Sequence, residues 1–564
     1  MFRTRYTSIF GLALLMACQS TSTTESTDTP SETDAAQDTF MREGATVYFA
    51  LTDRFNNGDP TNDESLGRQM NGAPLRSYLG GDLRGVIQKL EEGYFSDLGV
   101  NALWLTPPYE NIHGYTNEGT GKTYGFHGYW PRDWTAIDAN LGTMDDYREL
   151  VQKAHARGIR VILDVIINHT GPVTEADSQW PDSGVRTGPA CTWEDPKRVI
   201  ECTLVENLPD IRTESEEEVA LPAFLVEKWK AEGRYEQEVA ELDEFFAATG
   251  YPRAPKYYII KWMIDYVKEL GIDGFRIDTA KHTEASVWGS LYREAVKALE
   301  AWRKANPESP AATWDEEFYM VGEVYGYSLG HGLNYPYNDT ASVNFYQEGF
   351  QAMINFDAKW AAKQPYETAF SAYNQMLPQG ELTGLSTLNY LASHDDGGPF
   401  DKLREQPYLA ANMLMLLPGA AQIYYGDESS RVLDASDLGA DGDAHLRTPM
   451  NWEMIANNDS VAGEPVQEVL AYYQKLGQFR AAHPAVGAGV HQKMTDAPYT
   501  FSRTLADKDQ VVVAIGEEID EVSVAGVFAD GVQVRDYFTG QAVTVADGKV
   551  VLPNYGPVVL LGED

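Results

Sequence analysis

Eight short β-rich runs alternate with helical stretches through most of this chain, and that alternation leaves few folds open. The runs cover residues 47–51, 102–105, 160–167, 274–278, 319–323, 352–356, 388–392 and 421–425. Helix-like stretches such as 144–157, 256–270 and 285–306 lie between them. Repeated strand–helix alternation predicts an α/β fold, a parallel (β/α)8 TIM barrel, whose reactive residues sit at the carboxyl ends of the strands. Chemically useful side chains fall at those ends. Asn168 and His169 follow the third run, Asp278 ends the fourth, Glu323 ends the fifth, and His394 and Asp395 follow the seventh.

The fourth run, Gly274-Phe275-Arg276-Ile277-Asp278, carries the sharpest chemical signal. Strand side chains alternate faces, so Arg276 and Asp278 point one way while Phe275 and Ile277 point the other. A neighbouring guanidinium favours the charged form of a carboxylate. An ionised, partly buried carboxylate at a strand end suits a nucleophile. A structural ion pair inside the fold is the plainer alternative.

Three segments depart from the alternation. About 80 residues, from Gly171 to Tyr251, separate the third and fourth runs, which marks a functional insertion or small subdomain. It holds Cys191 and Cys202, which can pair in an oxidising compartment or remain free thiols. Its acidic run 214–218 reads as a solvated face. From about residue 485, short alternating stretches spaced by Gly, Asp and Pro predict a small antiparallel β domain, a C-terminal β-sandwich. At the other end, Arg3 and Arg5 precede an apolar run, residues 9–17, too short to span a bilayer as a mature helix. That run ends in Leu15-Met16-Ala17-Cys18, which resembles a bacterial lipoprotein signal with Cys18 as the lipidated residue. An ordinary signal peptide is the alternative. Residues 19–40, rich in Ser, Thr, Asp and Glu, read as a tether. The expected organisation is therefore signal 1–18, tether 19–40, barrel 41–171 and 252–484, insertion 172–251, and C-terminal domain 485–564. Export follows, with lipid anchoring in the cell envelope. Gln19 after Cys18 favours the outer membrane.

Charge narrows the partners. With 84 acidic against 44 basic residues, the formal charge of −40 would repel phosphate backbones, so nucleic acid is an unsuitable partner. Aromatic residues reach 12%, which leans toward sugar binding because flat rings pack on sugar faces, although large cores also collect them.

Four segments taken together resemble the α-amylase superfamily of glycoside hydrolases: Asp164-Val165-Ile166-Ile167-Asn168-His169, Gly274 to His282, Gly322-Glu323-Val324, and Ser393-His394-Asp395. Any one alone is weak; their order on matching strands is specific. The stretches Leu208-Pro209-Asp210-Ile211-Arg212 and Ile423-Tyr424-Tyr425-Gly426-Asp427-Glu428 are similar to the bacterial periplasmic α-amylase type, whose long N-terminal extension in some members this chain lacks. The resemblance implies a retaining double displacement on α-1,4-glucans such as starch, glycogen or maltodextrins. Asp278 matches the nucleophile, Glu323 the general acid/base and Asp395 the third carboxylate that stabilises the transition state. Retaining chemistry needs the two working carboxyls about 5–5.5 Å apart, hence neighbouring strands. Glu323 must then hold its proton near neutral pH while Asp278 is ionised. Arg276 matches the residue that holds the nucleophile ionised. His127, Tyr129, His169 and His394 match the subsite beside the scissile bond, Tyr129 as a stacking platform. Lys281 matches the leaving-group side, and Asp164 braces Arg276 from the neighbouring strand.

Calcium is the implied cofactor, since hard cations take oxygen ligands. Asn168, Asp210 and the carbonyl of His282 match the family's principal site between barrel and insertion. A second site is suggested by Asn57, Asp59, Asn62 and Asp63, with Gly80 and Asp82 following; an Asx-rich turn without metal is the alternative. Two rival functions remain open. A glucanotransferase passes the same intermediate to a sugar acceptor, and a surface glycan-binding protein would keep the barrel without catalysis.

Overall fold

The computed structural model describes residues 44–563. The proposed signal, Cys18 and the tether lie outside the described residues. Among the described residues no helix is long and apolar enough to cross a membrane.

The eight expected runs all become barrel strands. They are β1 (Thr46–Ala50), β2 (Ala102–Leu105), β3 (Arg160–Val165), β4 (Gly274–Ile277), β5 (Tyr319–Gly322), β6 (Ala352–Asn355), β7 (Ser386–Asn389) and β8 (Ala420–Tyr424). Every neighbouring pair is parallel, and β8 closes on β1. Their side chains are buried throughout, which explains why they read as continuous apolar runs rather than alternating ones. β7 begins two residues before its expected start. β4 and β5 stop one residue short of Asp278 and Glu323, so both carboxylates lie just past the strands. At the end of β4, Thr279 has a left-handed φ of 46° and turns the chain out of the sheet.

Helices cover the barrel. Those that matter below are α1 (Leu83–Glu91), α2 (Met144–His155), α3 (Ala223–Ala231), α4 (Tyr235–Thr249), α5 (Pro255–Leu270), α6 (Ala285–Ala305), α7 (Tyr366–Met376), α8 (Pro407–Leu416) and α9 (Val466–Ala482). α2 starts on a capping box, with the Thr143 hydroxyl accepting from the Asp146 amide and Asp146 accepting from the Thr143 amide. α5 has Pro255 at its first turn and ends on Gly271 with φ 76°. There a left-handed residue lets the last carbonyls be satisfied.

The insertion contains α3, α4, the Cys191–Cys202 disulfide and a short antiparallel pair, Val185–Arg186 with Asp210–Ile211. It is stitched to the end of β3, because the Ile211 amide donates to the Asn168 carbonyl at 2.7 Å and the Thr170 amide to the Pro209 carbonyl at 2.9 Å. The disulfide resolves the choice between paired and free thiols.

After α9 the chain forms β9 (Val490–Asp496), β10 (Tyr499–Leu505), β11 (Asp509–Ser523), β12 (Gln533–Asp536), β13 (Gln541–Thr544) and β14 (Lys549–Gly562). They hydrogen-bond as one antiparallel sheet in the order β9-β10-β11-β14-β12-β13. The pairing of β11 with β14 shifts register between Ile515 and Ile519, where the long strands break their regular ladder. Residues from both strands and from the segment between them form a separate apolar cluster that includes Val512, Val522, Phe528 and Val550.

Candidate active site

Arg276 is the hub of the site. Its Nη1 donates to Asp164 Oδ1 and to Asp278 Oδ1, both at 2.8 Å, and its Nη2 lies 2.9 Å from Glu323 Oε2. The strand register makes this possible, since Arg276 pairs with Asp164 on β3, and Ile277 with Gly322 on β5. Asp278 and Glu323 therefore leave adjacent strands side by side, gripping one guanidinium. Asp164 also accepts from Trp104 Nε1 at 2.9 Å and from the Tyr129 hydroxyl at 2.8 Å, so it braces Arg276 and Tyr129 together. Burial raises Asp164 to about 6 against the downward pull of Arg276.

Glu323 is 6% exposed, and burial pushes its carboxyl well above the usual range. Arg276 opposes the rise, while the charges of Asp278 and Asp395 add to it. The Thr279 amide, aimed by the left-handed turn, donates to Glu323 Oε2 at 2.9 Å. Both donors converge on Oε2, which leaves Oε1 as the place for a proton. Burial also acts upward on Asp395, but His394, Arg276 and Arg447 outweigh it and hold that carboxylate below its ordinary value. Two carboxyls driven apart in this way suit one acid and one anion.

Asp278 and Asp395 open into a cavity of about 330 Å³ with His127, Tyr129 and His169 on its walls. His394 stacks on the Tyr129 ring at 5.0 Å. Burial lowers His127, His169 and His394, the last to about 4, so these imidazoles are neutral hydrogen-bonding groups at neutral pH. His127 Nδ1 accepts from the Tyr129 amide at 3.0 Å, and His169 Nε2 donates to the Tyr129 carbonyl at 3.1 Å. Lys281 lies elsewhere. It lines a second cavity of about 340 Å³ with Trp193, Tyr325, Tyr335 and Tyr337, and its Nζ donates to the Tyr325 carbonyl at 2.8 Å. Glu323 lines neither cavity. It stands beside Asp278 of the first and two residues before Tyr325 of the second.

Sequence reasoning missed several wall residues. Arg76, Glu118, Asp443 and Arg447 line the first cavity, and Arg447 Nε holds the His394 carbonyl at 2.8 Å. They come from loops far apart in sequence, with no spacing that marks them. Trp193 and Tyr325, on the wall of the second cavity, were missed as well; they are 48% and 53% exposed, which only the structure reveals.

The residues named for calcium differ in their fit. Asn168 is placed with its side-chain oxygen facing the His282 carbonyl at 2.8 Å and Asp210 Oδ1 at 3.3 Å. Three oxygens turned toward one point fit a hard cation; a rotated amide is the alternative that satisfies the same atoms. Burial raises Asp210 to about 9, although Arg186 Nε pairs with its Oδ2 at 2.8 Å. In the Asx-rich loop, Asp82 is already occupied. It caps α1 through the Gly85 amide at 2.6 Å and accepts from the Gly58 and Asp59 amides at 3.0 and 2.7 Å. Asn57 donates to Asp63 at 2.9 Å across Gly80, and Asp59 accepts from Thr61. Only Asn62 Oδ1, buried without a donor, invites a cation there. Among the described residues no three His, Cys, Asp or Glu side chains form a metal-binding group, so either site would need amide or backbone oxygens besides any carboxylate.

The sequence matches the α-amylase catalytic domain family over residues 49–489. The chain belongs to the α-amylase family of glycoside hydrolases. It is 37% identical over 547 residues to the periplasmic α-amylase of Escherichia coli (strain K12), a match spanning 86% of this chain and 74% of that protein. The cyclomaltodextrin glucanotransferase of Geobacillus stearothermophilus is 27% identical over 498 residues, spanning 86% of this chain and 61% of its own length. Among solved structures, the α-amylase from Geobacillus thermoleovorans, complexed with acarbose, superposes with a TM-score of 0.62 at 22% identity, covering 92% of this chain and 98% of that one. The barrel with its C-terminal sheet is thus an α-amylase family fold, and the Arg276 cluster lies at the carboxyl ends of that barrel's strands.

Proposed function

We propose that this chain is a retaining α-amylase that hydrolyses internal α-1,4 bonds of starch, glycogen or maltodextrins. The observation that carries the reading is the pair Asp278 and Glu323 on one guanidinium, with Glu323 raised by burial. Asp278 attacks the anomeric carbon while Glu323 gives its proton to the departing glycosidic oxygen. Glu323 then takes a proton from water, which displaces Asp278 and returns the sugar with its configuration retained. Asp395 faces the reacting sugar as an anion and stabilises its positive charge. His127, Tyr129, His169 and His394 hold the sugar on the Asp278 side. Lys281, with Tyr325 and Trp193, receives the leaving portion. Calcium held by Asn168, Asp210 and the His282 carbonyl would pin the insertion against β3. The 57–63 loop supports a second ion through Asn62 alone. The chain is exported, as the periplasmic relative's name suggests; its signal is removed ahead of Cys18, and the lipid carried by Cys18 anchors it. The domain divisions are those expected above.

Maltoheptaose incubated with the protein and calcium should give shorter maltooligosaccharides by chromatography. Glu323→Gln should lower kcat by about 10²–10⁴-fold, the usual worth of a general acid. Wild-type activity in that variant would refute the acid/base assignment. The exposed rings around Lys281 favour a second reading, since an aromatic acceptor site would let a sugar compete with water. Products longer than maltoheptaose would establish that glucanotransferase activity. Binding without any cleavage would move the case to a glycan-binding protein.

A further inference from the structure

A wider cleft opens on the outside of the barrel, where α7, α8 and α9 meet the C-terminal sheet. Its volume is about 560 Å³, and it shares no lining residue with either cavity of the catalytic end. Tyr366, Tyr408, Asn412, Tyr472 and Lys475 line it, and Gly516, at the register shift of β11, lies across from them.

The rings are held before any ligand arrives. The Tyr472 hydroxyl donates to Asn412 Oδ1 at 2.8 Å, Asn412 Nδ2 donates to the Tyr366 hydroxyl at 3.3 Å, and the Tyr408 hydroxyl donates to Glu464 at 3.1 Å. Tyr408 meets Tyr472 edge-on at 4.9 Å, and Tyr366 stacks on Tyr499 at 5.7 Å. Preset aromatic walls lose little entropy on binding. The site combines flat carbon faces with hydroxyl and amide groups, and Glu468 and Lys475 stand exposed at its mouth. A neutral polyhydroxylated chain matches that mixture, with C–H faces for the rings and hydroxyls for the polar groups. An anionic polymer does not, given Glu468 and the formal charge of −40.

We propose that this cleft is a non-catalytic binding site for a segment of an α-glucan chain. The inference rests on the α-glucan reading above and adds a second holding point for long substrates. A polymer can occupy both places at once, which raises its retention without any change in the catalytic groups.

Amide hydrogen exchange on the full chain carrying Glu323→Gln, with and without maltoheptaose, tests the site. Protection of Pro407–Leu416 and Val466–Ala482 is expected, and adding Ala471→Trp, which fills the cleft from α9, should abolish it. Protection confined to the catalytic end overturns the proposal. No protection anywhere overturns the α-glucan reading and this site with it. In the otherwise wild-type protein, Tyr408→Ala should weaken adsorption to granular starch by about fivefold or more, while cleavage of maltoheptaose stays within about twofold. Unchanged adsorption counts against the site. Should Tyr408→Ala fail to fold, Ala471→Trp carries the same measurement without removing a ring.

Discussion

As the proposed general acid, Glu323 would work only while it keeps its proton, and its surroundings set how far up the pH scale that lasts. Burial raises its pKa first, and the charges of Asp278 and Asp395 raise it further against the pull of Arg276. Activity should therefore fall as pH climbs through the raised value of Glu323, giving the alkaline limb of the kcat/KM profile. Asp395→Asn removes one of the raising charges. The residual activity of that variant should show its alkaline limb at lower pH than wild type. A limb that stays in place would mean that some other group sets it. Arg276 had a clear signal in the sequence, because alternation alone puts it beside Asp278. The raised Glu323 did not, because burial depends on every group packed around the carboxyl.

At the scale of elements, the barrel is held by local signals that agree with the global fold. α2 is an example: Thr143 and Asp146 cap it reciprocally, and Tyr147, Leu150, Val151 and Ala154 form its buried face. Thr143→Ala should cost about 1 kcal/mol, the usual worth of such a cap, read as a lower urea midpoint with an unchanged slope. Cleavage of maltoheptaose should not change, because α2 carries no residue of the site. The strand ends were less legible. The expected runs extend to Ile167, Asp278 and Glu323, but the ladders end at Val165, Ile277 and Gly322; after Asp278 a turn at Thr279, with its φ of 46°, carries the chain away. Runs of apolar residues mark burial, and burial continues past the last ladder hydrogen bond.

Two predictions belong to the whole molecule. His491 lies where the C-terminal sheet meets α7, with its amide on Asn374 Oδ1 at 2.8 Å and its Nε2 at 3.1 Å from Glu367. Burial, aided by Arg503, lowers its pKa to about 4 despite Glu367. The unfolded chain binds that proton near pH 6.5 and the native one only near 4, so its stability contribution is full above about 6.5 and falls as pH drops toward 4. The fall is at most about 1.4 kcal/mol per pH unit in that window. His491→Gln should flatten that part of the slope in urea titrations at pH 7 and pH 5; an unaltered slope would place the acid sensitivity elsewhere. On the proposed reading, calcium would act at the same scale by tying the insertion to β3. At 100 times its dissociation constant a bound ion adds about 2.7 kcal/mol. A chelator should therefore lower the thermal midpoint and the activity together, and added calcium should restore both. A midpoint indifferent to chelator and to calcium would leave the Asn168 amide rotated and the site without a cation.

Read alone, the chain determined the alternation of strands and helices, the position of each barrel strand to within a few residues, and the placing of Arg276, Asp278 and Glu323 at neighbouring strand ends. Those properties follow from periods of two and 3.6 residues and from order along the chain, both of which are local. It left the cysteines open, since pairing depends on how a loop closes. Tertiary structure alone decided that Arg76, Glu118, Asp443 and Arg447 share a wall, that Lys281 faces an aromatic cleft apart from Asp278, and that α7, α8 and α9 enclose a second cleft against the C-terminal sheet. Each of these depends on convergence of distant loops and helices and on exclusion of water, and neither is written in the spacing of residues along the chain.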